Sequence, residues 1–512
     1  MKTNKATYLK GAFILTAGIM LSKILGLFYK LPLAKVLGSS GLGIYQSVFP
    51  IYALFVCIGS GAIVLTLSKV VSATAYSQNA MKKAFIYCTL FSVTAGSFLY
   101  LLSGSLANYQ GVPHARYVYK CLSPAIVFCC LGGCIKGYYQ GHSDMLPTAV
   151  AEIIVQCIKP CFGLALCRLF TSVQTKTAAA TFAITLGELV AFLFLLARYI
   201  TDKKSPKLLA MPYNIKDNLF ALYTPILLSN VILPLSLVYD SFTVINALAV
   251  YSEHALGLYG LFAGAVITLQ TIPATISYGL SNAIIPYLSS LYAKGNKNGA
   301  EKGVYLATTL TAFLALPLAG CLYAYAPIVA STPFFRGGMQ DISLITKLIR
   351  VATPYAIFLP LLQTCNSILY GKGKVVVPVV SLLFSVIFKI ILQTILLKNA
   401  KIGIFGYALS LNLCYILAVT IDLVYIIRDG KITVFLLKTI FATALSVFSG
   451  WLVYQKTNFI LGIALTALCY MATQTVLRCY KLDSQNEPSH QNIKGSNVFE
   501  GYTTKNRGRN AK

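Results

Sequence analysis

Long apolar segments recur from one end of the chain to the other, and this repetition constrains the fold more than any other feature. Each is roughly 20 residues long, the length a helix needs to cross a hydrocarbon core about 30 Å thick. The segments are continuously apolar and do not alternate as barrel strands do, so each is predicted to be a helical span. Charged residues make up 11% of the 512 residues. The sequence therefore predicts an all-α polytopic membrane protein.

Breaking the sequence at glycines, prolines and charge clusters predicts about fourteen transmembrane helices. Their approximate limits are 9–29, 43–70, 84–105, 117–139, 147–168, 178–198, 218–246, 257–290, 303–331, 346–370, 375–397, 402–427, 435–454 and 458–478. Lysines and arginines are expected in cytoplasmic connections. They concentrate in the even-numbered connections and in the segment from Arg478 onward. We therefore expect a multi-pass membrane protein with both termini in the cytoplasm.

The two halves of the chain resemble each other. "GLGIYQSVFPIYALF" from Gly41 matches "ALGLYGLFAGAVITL" from Ala255, and "LSPAIVF" from Leu122 matches "ATPYAIF" from Ala352. The paired residues are Gly43 with Gly257, Tyr45 with Tyr259, Pro124 with Pro354, Tyr139 with Tyr370 and Pro147 with Pro378. Both copies begin on the same side of the membrane, so the halves are predicted to be parallel repeats, with substrate bound between them near the midplane.

This repeat predicts two pseudo-symmetric six-helix lobes followed by two extra helices. Residues 1–200 form the N-lobe, 201–217 a cytoplasmic linker and 218–430 the C-lobe. Residues 431–480 hold the last two helices, and 481–512 form a basic cytoplasmic tail that is predicted to be disordered because it is polar and low in aliphatic residues.

Several classes of protein are disfavoured by what the sequence lacks. No phosphate-binding G-x-x-x-x-G-K-[ST] loop occurs, and no long extramembrane loop gathers acids and nucleophiles, so the chain is predicted to be a transporter rather than an enzyme. The net charge of +28 is explained by topology and by attraction to the anionic inner leaflet without nucleic acid. The cluster "CCLGGC" from Cys129 has neither a nearby histidine nor C-x-x-C spacing, so neither a zinc site nor a cofactor is predicted.

Ionisable residues inside spans are the candidate functional residues, because each costs at least about 2.5 kcal/mol at the bilayer centre and so usually faces a cavity or a partner. Lys23 and Lys30 are two helical turns apart and share one face of the first span. Glu152, Gln156 and Lys159 form a polar stripe on the fifth span. The stripe is either the wall of a cavity or a structural set of interhelical hydrogen bonds.

Further charges lie within predicted spans: Glu188, Asp240, Lys389 and Asp422. Lys69 and Lys120 lie toward span ends, where they are expected to snorkel to the surface. The lysines are more numerous in the N-lobe than in the C-lobe, so a cavity there would be basic and would suit a phosphate or pyrophosphate group.

The N-terminal pattern "KGAFILTAGIMLSKILGLFYKLPLAKVLGSSGLGIYQSVFPIYALF", together with "GYYQGHSDMLPTA" from Gly137, resembles the stage V sporulation protein B group of polysaccharide biosynthesis proteins. That group belongs to the multidrug/oligosaccharidyl-lipid/polysaccharide (MOP) exporter superfamily, which also contains the MATE exporters, and is similar to the MurJ (MviN) lipid II flippases. The resemblance covers about residues 8–478.

The resemblance implies alternating access by two six-helix lobes, with two further helices forming a lipid-facing groove. It also implies transport of an undecaprenyl-pyrophosphate-linked saccharide. The basic residue of the flippases' first-helix "S-R-x-L-G" pattern falls on Lys23 in "SKILG", where it would contact the pyrophosphate, while their next basic position falls on Tyr29. Asp240 lies on the seventh helix, where some flippases carry an acidic cation ligand, which makes it a candidate ion-coupling residue for Na⁺ or H⁺.

The function predicted from these observations is a flippase for lipid II-like substrates in peptidoglycan or sporulation envelope synthesis. Lys23, Lys30 and Lys159 would face the diphosphate, and Glu152 would balance charge in the cavity. The partners expected are the lipid-linked oligosaccharide, membrane lipids and proteins of envelope synthesis. The alternatives are a cation-coupled multidrug exporter of the MATE type, a membrane glycosyltransferase or polymerase, and a scaffold of an envelope-synthesis complex.

Overall fold

The described part of the chain is built of helices. The computed structural model describes residues 2–73, 77–142, 144–202, 219–293, 295–332, 342–426, 431–456 and 458–477, and every regular element in these ranges is helical. In chain order the helices are α1 (Lys2–Val56), α2 (Ala62–Ala73), α3 (Ser77–Leu101), α4 (Ser103–Tyr109), α5 (Ala115–Gly141), α6 (Leu146–Arg168), α7 (Val173–Thr201), α8 (Leu219–Ala249), α9 (Ala255–Tyr259), α10 (Ile267–Gln270), α11 (Ile272–Ala293), α12 (Lys297–Ala324), α13 (Ala326–Ser331), α14 (Ile342–Gly371), α15 (Val376–Leu397), α16 (Ile404–Ile426), α17 (Lys431–Lys456) and α18 (Phe459–Val476). Two π-helical segments, Cys57–Gly61 and Gly260–Val266, follow α1 and α9. The prediction of an all-α membrane protein is confirmed.

The number of spans is close to the prediction but does not reach it. Within the described residues, 12 helical segments are long and apolar enough to cross a membrane, or up to 13 if the bent pair Ala255–Gln270 and Ile272–Ser281 is one span. The predicted count of fourteen is therefore not confirmed. The first predicted span and the beginning of the second lie in α1, which consists of two helices that meet, within the first predicted connection, at a kink at Gly38. Its φ of 67° and ψ of −178° suit a glycine, which has no Cβ to clash.

In the first half of the chain, α1 packs closely along α6. A Cβ on Gly18 would overlap the side chain of Ala149, and one on Gly26 would lie 3.1 Å from Oε1 of Gln156. Small residues let the two backbones approach, as is common where membrane helices pack. Helices α3, α5 and α7 complete this half, with α5 packed against both α3 and α7. The result places the lysine-bearing face of α1 beside the polar stripe of α6.

In the second half, α14 packs against α11, α12 and α16, and α15 packs against α16. Residues paired by the internal repeat occupy corresponding places in the two halves. Pro124 lies inside α5 and Pro354 inside α14, and the buried residues Pro147 and Pro378 lie in the first turns of α6 and α15. The two prolines of each pair therefore lie on equivalent helices of the two halves.

The two halves meet where the repeated glycine-rich segments face each other. A Cβ on Gly260 would overlap the backbone of Ser39 and Gly43, and a Cβ on Gly43 would overlap the carbonyl oxygen of Leu256. Gln110, which is fully buried, lies nearby in the connection after α4 and donates a hydrogen bond to the carbonyl of Ser47 at 2.9 Å. The segments matched by the repeat therefore form a direct contact between the halves.

The last two helices, α17 and α18, pack against each other, and α17 also packs against α12. Most of the predicted linker and the whole of the predicted tail lie outside the described residues, which omit 203–218 and 478–512. The predicted domain limits remain predictions.

Candidate functional site

The two lysines that share a face of α1 both contact the second half of the chain. The Nζ atom of Lys23 lies 3.6 Å from the ring centroid of Tyr278 on α11, a cation–π distance. The Nζ atom of Lys30 donates a hydrogen bond to Oγ1 of Thr268 on α10 at 3.4 Å. Both lysine side chains are nevertheless exposed. Contact combined with exposure is typical of residues that line a cleft between two lobes rather than a packed interface.

The span that these lysines face is irregular. Its first part contains the π-helical segment Gly260–Val266, and the chain bends by 47° between Gln270 and Ile272. Thr268 precedes the bend and Tyr278 follows it, so the two lysines contact both arms of the broken span. Irregular helix of this kind is frequent at functional sites, and at membrane depth it is tolerated where it is buried in protein or lines a cavity.

The polar stripe predicted on α6 faces this region. Gln156 lies against Gly26, which is between Lys23 and Lys30 on α1. The positive charges of Lys159 and Lys30 are close enough to repel each other. Two like charges held near each other by separate helices favour an anion between them. The structure thus brings Lys159 together with Lys30.

Glu152, the acidic member of the stripe, has a partner that sequence reasoning missed. Its Oε1 atom accepts a hydrogen bond from the Nζ atom of Lys136 at 2.7 Å, an ion pair between α6 and α5. The side chain of Lys136 is only 9% exposed. Lys136 lies near the end of the fourth predicted span, where a lysine is easily interpreted as snorkelling. The signal that could have identified it is the acidic residue that follows at the start of the next span, across a short turn.

The charges of this region do not cancel. Glu188 on α7 lies within electrostatic range of both Lys136 and Lys159. Together with Glu152 it supplies two carboxylates, against four ammonium groups from Lys23, Lys30, Lys136 and Lys159. The surplus is positive, and two of its ammonium groups, those of Lys23 and Lys30, contact the second half of the chain. Such an arrangement can bind a polyanion such as a diphosphate, because ammonium groups act as point charges toward phosphate oxygens.

Asp240, the candidate ion-coupling residue, lies on α8, the first helix of the second half, and has its own cation. Its Oδ2 atom accepts hydrogen bonds from Lys389 of α15 and from the hydroxyl of Tyr407 of α16. Lys389 also donates to Oγ of Ser236 at 2.9 Å. Both charged side chains are 1% exposed. The ion-coupling role of Asp240 stays a prediction, and any coupling cation would have to compete with the lysine ammonium.

The other residues considered from sequence occupy separate places. Lys69 and Lys120 are exposed, as expected for snorkelling side chains, and Lys120 lies 5.3 Å from the ring of Tyr100. Tyr29, at the position where flippases carry a basic residue, is buried, and its hydroxyl has no hydrogen-bond partner. Asp422 is fully buried on α16.

The cysteines have no arrangement that indicates chemistry. Cys129, Cys130 and Cys134 are buried free thiols. Among the residues that the structure describes, no group of three His, Cys, Asp or Glu side chains could hold a metal ion.

Comparisons with known proteins place the chain in a family. A family model described as polysaccharide biosynthesis protein matches residues 8–292, and one described as MatE matches residues 225–395. The lipid II flippase MurJ of Bacillus subtilis (strain 168) is 25% identical over 458 residues, which cover 82% of this chain and 83% of the relative. Stage V sporulation protein B of the same organism is 25% identical over 303 residues, covering 56% of this chain and 58% of the relative.

The fold has a solved counterpart. A structure of lipid II flippase MurJ in an inward closed conformation superposes with a TM-score of 0.68 at 18% sequence identity, covering 90% of this chain and 98% of the other. This similarity shows a shared fold. The first family model matches more than half of the chain. The chain therefore belongs to the polysaccharide biosynthesis protein family.

Proposed function

We propose that the protein is a flippase that moves an undecaprenyl-pyrophosphate-linked saccharide across the cytoplasmic membrane by alternating access. The observations that support this proposal are the contacts of Lys23 and Lys30 with the second half of the chain and the electrostatic proximity of Lys159 to Lys30. An anionic head group bound there would touch both lobes, which is what a substrate of an alternating-access transporter does.

The charge balance supports a diphosphate in particular. Lys136 neutralises Glu152, so the carboxylate of the stripe does not cancel the charge of Lys159. Lys30 and Lys159 then repel each other until an anion lies between them. A diphosphate carries several oxygens that can accept hydrogen bonds from more than one ammonium group at once.

The setting that we propose follows from the family. Both termini would lie in the cytoplasm, and the process served would be peptidoglycan or sporulation envelope synthesis, in line with relatives named lipid II flippase and stage V sporulation protein B. The polyprenyl tail would lie along α17 and α18, where Phe441 and Phe448 of α17 are exposed. The protein would act as a transporter and not as an enzyme.

The experiment that tests the proposal is complementation of a bacterial strain depleted of its lipid II flippase, with an assay for lipid II accessibility on the outer leaflet. The wild-type protein is expected to restore growth and exposure. Lys23→Ala is expected to fail while remaining inserted, and Lys69→Ala, which changes an exposed lysine at a span end, is the matched control. Full activity of Lys23→Ala would remove the main support for the proposal.

A second candidate is a cation-coupled multidrug exporter, which the MatE match over residues 225–395 favours. An exporter of cationic drugs would need acidic residues in the cleft, and the surplus of lysines there opposes it. Efflux of a cationic dye by the purified protein in liposomes, without lipid II movement, would replace the flippase proposal with this one. Loss of complementation on deletion of residues 482–512 alone, with lipid II movement intact in liposomes, would instead indicate a scaffold.

A further inference from the structure

Two buried carboxylates in the second half of the chain differ in whether a cation pairs with them. Asp240 and Asp422 are both fully buried. Asp240 forms an ion pair with the ammonium group of Lys389. Asp422 accepts a hydrogen bond from the hydroxyl of Ser381 at 2.6 Å, and its second oxygen, Oδ2, has no hydrogen-bond partner. None of the ion pairs found among the described residues involves Asp422.

A carboxylate in that situation is unfavourable if it is ionised. Moving an unpaired ion from water into a protein interior costs several kcal/mol even after relaxation. A group that can lose its charge by binding a proton avoids this cost. The lone hydroxyl of Ser381 donates one hydrogen bond, which does not replace a counter-charge.

The groups around Asp422 confirm that no cation faces it within the part of the chain described. From α14 it is faced by Cys365, which is buried, and by Tyr370, which is 37% exposed. Lys372, in the turn after α14, donates to the carbonyl oxygen of Ile426. On α15, the nearest buried ammonium is that of Lys389, which is directed at Asp240. From α11 and α12, the contacts around Ile426 are apolar side chains.

We propose that Asp422 is a proton-binding site, and that its carboxyl group is neutral in this conformation. Oδ2, the oxygen without a partner, would carry the proton, while the other oxygen accepts the hydrogen bond from Ser381. A metal ion fits less well, because hard cations such as Ca²⁺ and Mg²⁺ take about six or more oxygen ligands and only two side chains converge here.

The position of Asp422 gives the proton a short route. It lies one helical turn before Ile426, the last residue of α16, a distance of about 6 Å along the axis. Tyr370, partly exposed at the end of α14, lies beside it. Separation of α14, α15 and α16 at this end would expose the carboxyl group to water and release the proton. This site would couple proton movement to a change of conformation, whatever the substrate, so the inference goes beyond the proposed flippase function.

The test is infrared difference spectroscopy of the purified full-length protein, without substrate, between mildly acidic and mildly alkaline buffer. A protonated carboxyl group has a carbonyl-stretching band that a carboxylate lacks. The band is expected in the wild-type protein, lost in Asp422→Asn and retained in Asp240→Asn, the matched control. Retention of the band in a folded Asp422→Asn protein, or its loss in Asp240→Asn, would overturn the inference.

A second variant keeps the test informative if Asp422→Asn does not fold. Ser381→Ala removes the single donated hydrogen bond, so the band is expected to persist at a shifted frequency; an unshifted band would refute the assignment. Sodium ions at constant pH are expected to leave the band unchanged. Loss of the band with sodium chloride but not with N-methylglucamine chloride would identify a metal-ion site and overturn the proton assignment. None of these readouts depends on flippase activity.

Discussion

Lys389 of α15 and Asp240 of α8 neutralise each other inside the second half of the chain, where both side chains are 1% exposed. The ammonium group is also held by Ser236, and the carboxylate by the hydroxyl of Tyr407. Two helices that carry opposite charges in a low-dielectric interior are thereby fixed to each other. Removal of one charge alone leaves the other buried without a partner.

We therefore expect Lys389→Met to destabilise the protein by about 3–5 kcal/mol, the usual cost of breaking a buried pair from one side. The double variant Lys389→Met/Asp240→Leu should recover most of this loss, because both desolvated charges are gone. Thermal unfolding in detergent, followed by helical circular dichroism, measures the effect. Lys398→Met, at an exposed position just after α15, is the control. Equal losses in the single and double variants would contradict the expectation.

Removal of the repulsion between Lys30 and Lys159 should make the ligand-free protein more stable but weaken its binding of pyrophosphate. Because their charges repel, Lys30→Gln is expected to raise the unfolding temperature of the ligand-free protein. The same change should remove most of the stabilisation by added pyrophosphate, since a ligand that binds only the folded state stabilises it in proportion to its affinity. Thermal unfolding with and without pyrophosphate measures both effects, and Lys69→Gln is the control. A lower unfolding temperature of the ligand-free Lys30→Gln protein would show that repulsion does not dominate.

The Lys136–Glu152 pair is expected to set the charge available to the anion site. Lys136→Met would leave the carboxylate of Glu152 free to attract Lys159, and pyrophosphate binding should weaken by about tenfold, or about 1.4 kcal/mol. Glu152→Gln should not weaken binding, because it leaves an additional ammonium group. Isothermal titration calorimetry distinguishes these outcomes. The double variant Lys136→Met/Glu152→Gln is expected to bind pyrophosphate with nearly the wild-type affinity. If it bound as weakly as Lys136→Met does, charge balance would not explain the effect.

The contact between Gly260 and the backbone of Ser39 and Gly43 should hold the two halves together at that end. Gly260→Ala inserts a methyl group where no space exists, so the halves should separate there. Spin labels at the exposed positions Tyr109 and Val250, in a cysteine-free background, would report a longer distance between the halves. Gly104→Ala is the control, since a Cβ there meets nothing within 4 Å. An unchanged distance in Gly260→Ala would show that the contact does not determine the conformation.

The fold was predictable because its signal is spread over the whole chain. Apolar length, the positions of Gly and Pro, and the repeat pairs such as Pro124 with Pro354 all depend on many residues at once. The face shared by Lys23 and Lys30 was predictable from helical periodicity, and the two lysines do point to the same broken span.

Pairing between helices was not predictable in the same way. Nothing in the sequence near Asp240 indicates that Lys389, 149 residues later, supplies its counter-charge. Lys136 was missed for the opposite reason: it is close to Glu152 in sequence but lies near a span end, where the position alone does not separate a buried lysine from a snorkelling one. The first two spans meet at a one-residue kink, which was not predictable because "GSSGLG" has the composition of a longer turn and only Gly38 leaves the helical conformation.

The single-residue break at Gly38 has a consequence for how the protein enters the membrane during synthesis. The first span carries Lys23 and Lys30, and each lysine at the bilayer centre opposes insertion by at least about 2.5 kcal/mol. The segment Pro32–Ser72, which contains the second arm, is strongly apolar and is long enough to cross a membrane. Since only Gly38 interrupts α1 between the two arms, the two are expected to leave the translocon together, so that the apolar second arm offsets the cost of inserting the lysines of the first.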